Sequence, residues 1–439
     1  MPCRIVVLPA ALTMCAGLAF AQLPIDSQLA GDIAGIKAID NHAHPVLPAV
    51  GNATDTEYDA LPVESLDPYT EPVRTRAGSP LVIEAWRELF GYAYNDFAPE
   101  HVRELRHRKK QRMDEKGEHY AEWVLDQLGI ETMFANRIAM GRGIEPPRFL
   151  WVPFEDALMY PLNNRSLAAA NTDRKSFFGL EERLLKRYLA ECGYSSAPAS
   201  LDEYLQKVVT PTLERHKRGG AVAVKFEAAY LRSLAFDDTP RSEAARIYAG
   251  AGNQPIAPAS YKKLQDYILR YIAAECGRLG LAVHFHVDAG GGGYFDVGGA
   301  NPVLLEPLFN DPKLRGANFA MLHGGWPFTR EVAALLSKPN VYTDFSSQTF
   351  MNYPRAVSQV IREWLEYAPD KVLYATDAYP FSEEMSWEEA GWVANSTGRQ
   401  ALALALTEMM HDGEITRQRA GELARMVLRD NALKLYKLK

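Results

Sequence analysis

The sequence predicts an α/β protein of the (β/α)8 TIM-type barrel class, with helical insertions after the first and third strands. Three observations lead there: eight short β-rich runs in series, well-patterned helical runs between the later ones, and ligand-type residues at the ends of several strands. Alternation of strand and helix predicts a parallel sheet with helices packed outside it. Length agrees, because 439 residues accommodate one elaborated barrel. A hydrophobic content of 47% is too high for a disordered chain.

The chain opens with an address. A weakly basic start ends at Arg4, an apolar run covers 5–20, and Ala19-Phe20-Ala21 gives the small-x-small pattern that precedes signal cleavage. Residues 1–21 are therefore expected to be a signal peptide, and the mature protein to be exported, periplasmic or secreted. The apolar run is too short to span a bilayer. Cys3 and Cys15 belong to this segment. Cys192 and Cys276 remain, one pair that makes no disulfide framework and whose meeting the sequence leaves open. Without a CxxC there is no cysteine zinc site.

Residues 22–439 read as one domain. The expected strands are 36–41, 132–136, 150–154, 221–226, 281–287, 317–322, 341–345 and 371–376. The expected later helices are 261–279, 328–336, 354–367, 388–411 and 417–438. The insertion 51–125 begins with a polar, Pro-containing lead and continues as helices over 81–92 and 99–123. A second insertion, 163–219, is mostly helical. Loops after barrel strands lie over the active-site mouth, so both insertions are expected to form a cap or lid. Glycines 290–293 form a flexible loop without the spacing of a dinucleotide fingerprint.

Charge narrows the partners. Lys plus Arg number 48 against 55 for Asp plus Glu, a net charge of −7 with no long block of one sign. This disfavours nucleic acid and anionic membrane surfaces. The expected partner is a small-molecule substrate, with no membrane contact after signal cleavage; assembly into a homo-oligomer stays open.

The chemistry starts at His42-Ala43-His44, where an apolar strand ends. Residues two apart on an extended backbone share a side, so His42 and His44 can present two imidazoles to one ion. In 281–288, Leu281, Val283, Phe285 and Val287 alternate with inward-facing His284, His286 and Asp288. His286 is nearer the mouth and the better ligand candidate; His284 lies a layer deeper. Two further strands end in His323 and Asp377, an imidazole and a carboxylate suited to polarising a substrate and moving a proton. Lys225 enters the barrel from the fourth strand, where an ammonium needs a partner such as Glu227. Alternatively it is carboxylated and bridges two ions. Arg142, Arg232 and Arg137 are candidates to hold a substrate carboxylate, and Trp326 to form a pocket wall.

His42, His44, Lys225, His286, His323 and Asp377 at successive strand ends resemble the metal-site signature of the amidohydrolase superfamily. The stretches 323–331, 341–346 and 374–378 resemble the amidohydrolase-2 (amidohydrolase-related) group most closely, and are similar to the amidohydrolase domain of glutamine-synthetase-like fungal and plant proteins. The resemblance implies metal ligation by His42, His44, His286 and Asp377, with Lys225 added if carboxylated, and catalytic roles for Asp377 and His323. It implies one Zn2+, or two if Lys225 bridges; Mn2+ and Fe2+ suit the same ligand types.

The expected activity is that of a metal-dependent hydrolase. Zn2+ brings the pKa of its water from 15.7 to about 7, and the activated water cleaves an amide, lactone or related ester. Two other readings stand beside it: a metal-dependent non-oxidative decarboxylase on the same scaffold, and an inactive periplasmic binding barrel.

Overall fold

The computed structural model describes residues 24–48, 54–63, 66, 70, 72–250 and 256–438. The expected signal segment, 1–21, lies outside them. Eight strands follow in order: β1 Ala38–Ala43, β2 Ile130–Asn136, β3 Phe149–Val152, β4 Ala223–Phe226, β5 Ala282–His286, β6 Phe319–Leu322, β7 Val341–Asp344 and β8 Val372–Leu373. They pair in parallel as β1-β2-β3 and as β4-β5-β6-β7-β8.

Backbone hydrogen bonds join these two sheets at both seams. Between β3 and β4, Val222 N donates to Trp151 O at 3.1 Å, Lys225 N to Pro153 O at 2.8 Å and Glu155 N to Lys225 O at 3.0 Å. Between β8 and β1, Asn41 N donates to Tyr374 O at 2.9 Å, Asp377 N to His42 O at 2.8 Å and His44 N to Ala378 O at 2.8 Å. The ring of eight strands is thereby closed, as a (β/α)8 barrel requires.

The period-two pattern sets the two faces of that ring. Val224, Phe226, Val283, Phe285, Val287, Phe319 and Met321 join the large outer core beneath the helices. Ile39, Phe134, Val152, Ala223, Ala282 and Leu373 form a smaller inner cluster with Ala432 and Leu435. The C-terminal helical segment thus closes the barrel floor, and the Tyr436 ring lies 4.6 Å from that of Phe134. The helix expected over 417–438 contains a π turn at Met426–Asp430 between Arg417–Arg425 and Asn431–Tyr436, which rotates the last segment onto the barrel.

The first insertion carries helices Pro80–Phe90, Pro99–Lys116 and Tyr120–Leu128. The single helix expected over 99–123 is broken at Gly117, whose φ of 54° and ψ of −128° end the first segment. Val82, Trp86 and Leu89 recur at helical spacing and pack with Ala390, Val393 and Ala394 of the long helix Trp387–His411. Lys109 reaches the same helix, 2.8 Å from Glu389. In the second insertion, helix Thr172–Glu191 buries Phe177, Phe178, Tyr188 and Leu189 against the outer core. Cys192 and Cys276 are free thiols. Among the described residues no helix is long and apolar enough to cross a membrane.

Candidate metal centre

Strands β1, β4, β5, β6 and β8 deliver their end residues to one pocket at the C-terminal face of the barrel. Its cavity measures about 320 Å³ and is lined by His42, His44, Lys225, His286, His323 and Asp377, among others. Asp40, one turn of the pleat below His42, sets the β1–β8 junction: its Oδ1 accepts from Thr376 N at 3.0 Å and His42 N at 3.2 Å. That junction faces Asp377 towards the two histidines.

The Nε2 atoms of His42 and His44 lie 3.3 Å apart, and Oδ1 of Asp377 lies 3.1 Å from the first and 3.6 Å from the second. Lys225 Nζ is 3.4 Å from His42 Nε2 and 4.0 Å from Oε1 of Glu227. Among the described residues His42, His44 and Asp377 form the group whose ligand atoms all lie within 4.8 Å of one another. Two neutral imidazoles gain little by meeting through the same nitrogen, whereas two lone pairs and a carboxylate oxygen converging in a buried site suit a divalent ion. Nδ1 of His44 lies 3.8 Å from Oδ2 of Asp59, beyond hydrogen-bond distance. These residues fit a metal.

Electrostatics agree with that use. Burial holds His42, His44, His286 and His323 well below the ordinary imidazole range, with Lys225 pushing the same way at each, so the rings keep their lone pairs. Burial pushes Asp377 up to about 7, opposed by the Lys225 ammonium.

His286 lies in the pocket but outside that three-residue group. Its Nε2 is 3.1 Å from Asp288 O, and its ring stands 4.7 Å from that of His323 and 4.7 Å from that of Tyr230. His284, one layer deeper, meets the Tyr436 hydroxyl at 2.7 Å.

His323 sits at the end of β6 with a positive φ of 66°, and Asp377 and Ser347 share that unusual backbone at 56° and 58°. Three residues of positive φ thus line this pocket, which makes it the candidate functional site. The rotation is fixed by Asp344, whose Oδ1 accepts from His323 N at 2.9 Å, Ser346 N at 3.0 Å and Ser346 Oγ at 2.6 Å. Its other oxygen accepts from Asn41 Nδ2 at 3.2 Å, and Asn41 in turn takes the Tyr436 hydroxyl. Asn41, Asp344, Ser346 and Tyr436 carry no ligand signature of their own. Only the run of polar residues after β7 signalled part of this network.

The arginines correct an expectation. Arg142 is 83% exposed at its side chain and pairs with Glu118 at 2.5 Å. Arg232 turns from the pocket to Asp266 at 2.5 Å and Gln265 at 2.9 Å, because those acceptors lie on the neighbouring helix Pro258–Leu279. Arg137 is fully buried in a fork with Asp55, at 2.7 and 3.0 Å, and ties the first insertion to β2. None of the three lines the pocket. Trp326 does, together with Tyr230, Phe350, Tyr379 and Phe381. The first insertion contributes Asp59, Leu61, Val63, Thr70 and Pro72 to the wall, whereas 163–219 contributes none of the lining residues.

Comparison with known proteins places the same barrel elsewhere. A Lactobacillus casei protein described as a putative metal-dependent hydrolase superposes with a TM-score of 0.58 at 17% identity, over 94% of this chain and 98% of that one. The uronate isomerase of Thermotoga maritima gives 0.57 at 12% identity, over 93% and 96%. The glucuronate isomerase of Caulobacter crescentus gives 0.57 at 13% identity, over 94% and 93%. At these identities the likeness is one of fold. In sequence, protein fluG of Emericella nidulans is 31% identical over 141 residues, which are 32% of this chain and 15% of that relative. The chain thus spans a small part of fluG. The family described as Amidohydrolase matches residues 212–438, which include Lys225, His286, His323 and Asp377. With over half of its length in that match, and its β1 histidines meeting Asp377 at the β1–β8 junction, the chain belongs to the amidohydrolase family.

Proposed function

We propose that the protein is a metal-dependent hydrolase that uses an activated water to cleave an amide, lactone or related ester. The observation that carries this reading is the convergence of His42, His44 and Asp377 beside Lys225 and His323 in one buried pocket. Zn2+ suits two imidazoles and a carboxylate, and such an ion supplies a water acidic enough to lose its proton near neutral pH. His286 stands ready as a further ligand if its ring turns from Asp288 O.

Asp377 takes the proton of the attacking water and returns it to the leaving group. Its two oxygens reach both sides of the site, one towards His42 and His44 and the other towards His323, which places it for both transfers. His323 acts beside it, with Nδ1 3.7 Å from Oδ2 of Asp377. Because the Ser346 hydroxyl gives its hydrogen to Asp344, its oxygen accepts from His323 Nδ1, leaving Nε2 with a lone pair. That tautomer favours proton transfer by His323 over polarisation of a carbonyl through an N–H. The exported location, the small-molecule partner and a lid role for the first insertion belong to the same reading.

The test is turnover in oxygen-18 water. Metal-loaded protein is screened against amides, lactones and esters, with acids included as decarboxylation substrates. A product carrying one solvent oxygen, formed by the wild type and not by Asp377→Asn, is the expected result. Release of CO2 without solvent oxygen in the product overturns the hydrolase reading.

A further inference from the structure

The pocket's charged groups are unevenly distributed. No arginine lines it among the described residues, and its one ammonium, Lys225, already faces His42 and Glu227. Apart from the metal site, no cationic side chain is left there to clamp a substrate carboxylate. Four carboxylates line the same cavity: Asp59, Glu227, Asp288 and Asp377. Asp377 belongs to the metal set, and Asp59 faces His44 and accepts from Leu61 N at 3.3 Å. Glu227 and Asp288 have other surroundings.

Glu227 is 4% exposed, and its Oε2 has no hydrogen-bond partner. Asp288 is 1% exposed, neither oxygen of its carboxyl has a hydrogen-bond partner, and no cation pairs with it among the described residues. The two residues follow neighbouring strands, β4 and β5, and both line the pocket at the barrel mouth. Glu227 shares the single ammonium of Lys225, at 4.0 Å, while its Oε2 and both oxygens of Asp288 are left without a hydrogen-bond donor, so a ligand that brings N–H groups and positive charge satisfies them. Aromatic walls add to the same preference. The Tyr230 ring stands 4.7 Å from His286 and leans over Gly290, where a Cβ would come within 2.5 Å of it. Trp326, Phe350 and Tyr379 line the remaining wall, and ring faces attract cations.

We propose that the pocket selects a substrate carrying a cationic amine, held by Glu227 and Asp288 against the aromatic wall, and rejects substrates with a carboxylate at that position. The inference rests on the site described above and names its substrate class. Like charges meeting in a desolvated cavity provide the rejection.

The test is calorimetric binding of three probes of one length, n-pentylammonium, n-pentanoate and n-pentanol, to the metal-loaded protein. The ammonium binds at least about tenfold more tightly than either of the others, and Glu227→Gln and Asp288→Asn each reduce that preference by about tenfold with metal content unchanged. Should Glu227→Gln disturb Lys225 and lose the metal, Asp288→Asn carries the test alone. Pentanoate binding as tightly as the ammonium overturns the inference. So does a preference that survives Asp288→Asn in full, since the ammonium is then held by other groups. Binding is read without turnover, so an ammonium preference in a protein that hydrolyses nothing overturns the hydrolase reading and leaves this one standing.

Discussion

His323 and Ser346 are joined side chain to side chain, Nδ1 to Oγ at 2.8 Å, and the serine hydrogen continues to Asp344 at 2.6 Å. The serine therefore fixes which ring nitrogen of His323 keeps its lone pair. Ser346→Ala removes both hydrogen bonds of the hydroxyl; loss of the one that orients His323, about 1 kcal/mol, lowers turnover by roughly fivefold while metal content holds. Ser346→Thr restores most of the rate. Kinetics and elemental analysis of the two variants check this, and an unchanged rate in Ser346→Ala contradicts it.

Asp377 offers one oxygen towards His42 and His44 and the other towards His323. Asp377→Asn keeps a neutral oxygen near the imidazoles but cannot accept a proton. Turnover falls by at least about 100-fold, with metal retained at least in part. Single-turnover rates with parallel metal analysis decide it.

Gly324 shows what the turn after β6 requires. Its φ is +60°, and a Cβ there would meet the Trp364 ring and stand 2.9 Å from Asp344 O. Gly324→Ala combines a crowded contact with a left-handed backbone and costs about 2–4 kcal/mol, read as a lower denaturant midpoint.

Much of this was legible in the sequence because the barrel obeys simple periods. All eight strands fall where β-rich runs stand, since alternating faces leave few registers open. His42, His44, Lys225, His323 and Asp377 meet in the pocket because each ends a strand, and parallel strands bring their ends to one rim. The arginines did not follow this logic. Arg142 and Arg232 lie on connecting segments, where the partners Glu118 and Asp266, distant in sequence, decide direction. The π turn at Met426–Asp430 depends on tertiary packing, which a helical pattern does not encode, whereas the break at Gly117 follows a local glycine stop inside the pattern. The role of Tyr436 under the site was illegible, because its link to Asn41 spans 395 positions.

Acid should weaken the metal-free fold through His284. Burial lowers this imidazole from 6.5 to about 3, so below 6.5 the unfolded chain takes up a proton that the folded chain refuses. Its contribution is complete above about pH 6.5 and is lost as pH falls towards 3, amounting to about 2 kcal/mol at pH 5. Melting curves of chelated protein between pH 8 and 5 show a fall in Tm that is smaller in His284→Gln; an equal fall in both contradicts the assignment.

The centre itself is tested most directly by metal content per chain, measured on protein purified without chelator alongside His42→Ala and Lys225→Ala. The account predicts one divalent ion per wild-type chain, about one in Lys225→Ala and essentially none in His42→Ala, because His42 sits at the convergence of ligand atoms. A wild type without metal, or a His42→Ala variant that keeps its full complement, would contradict it.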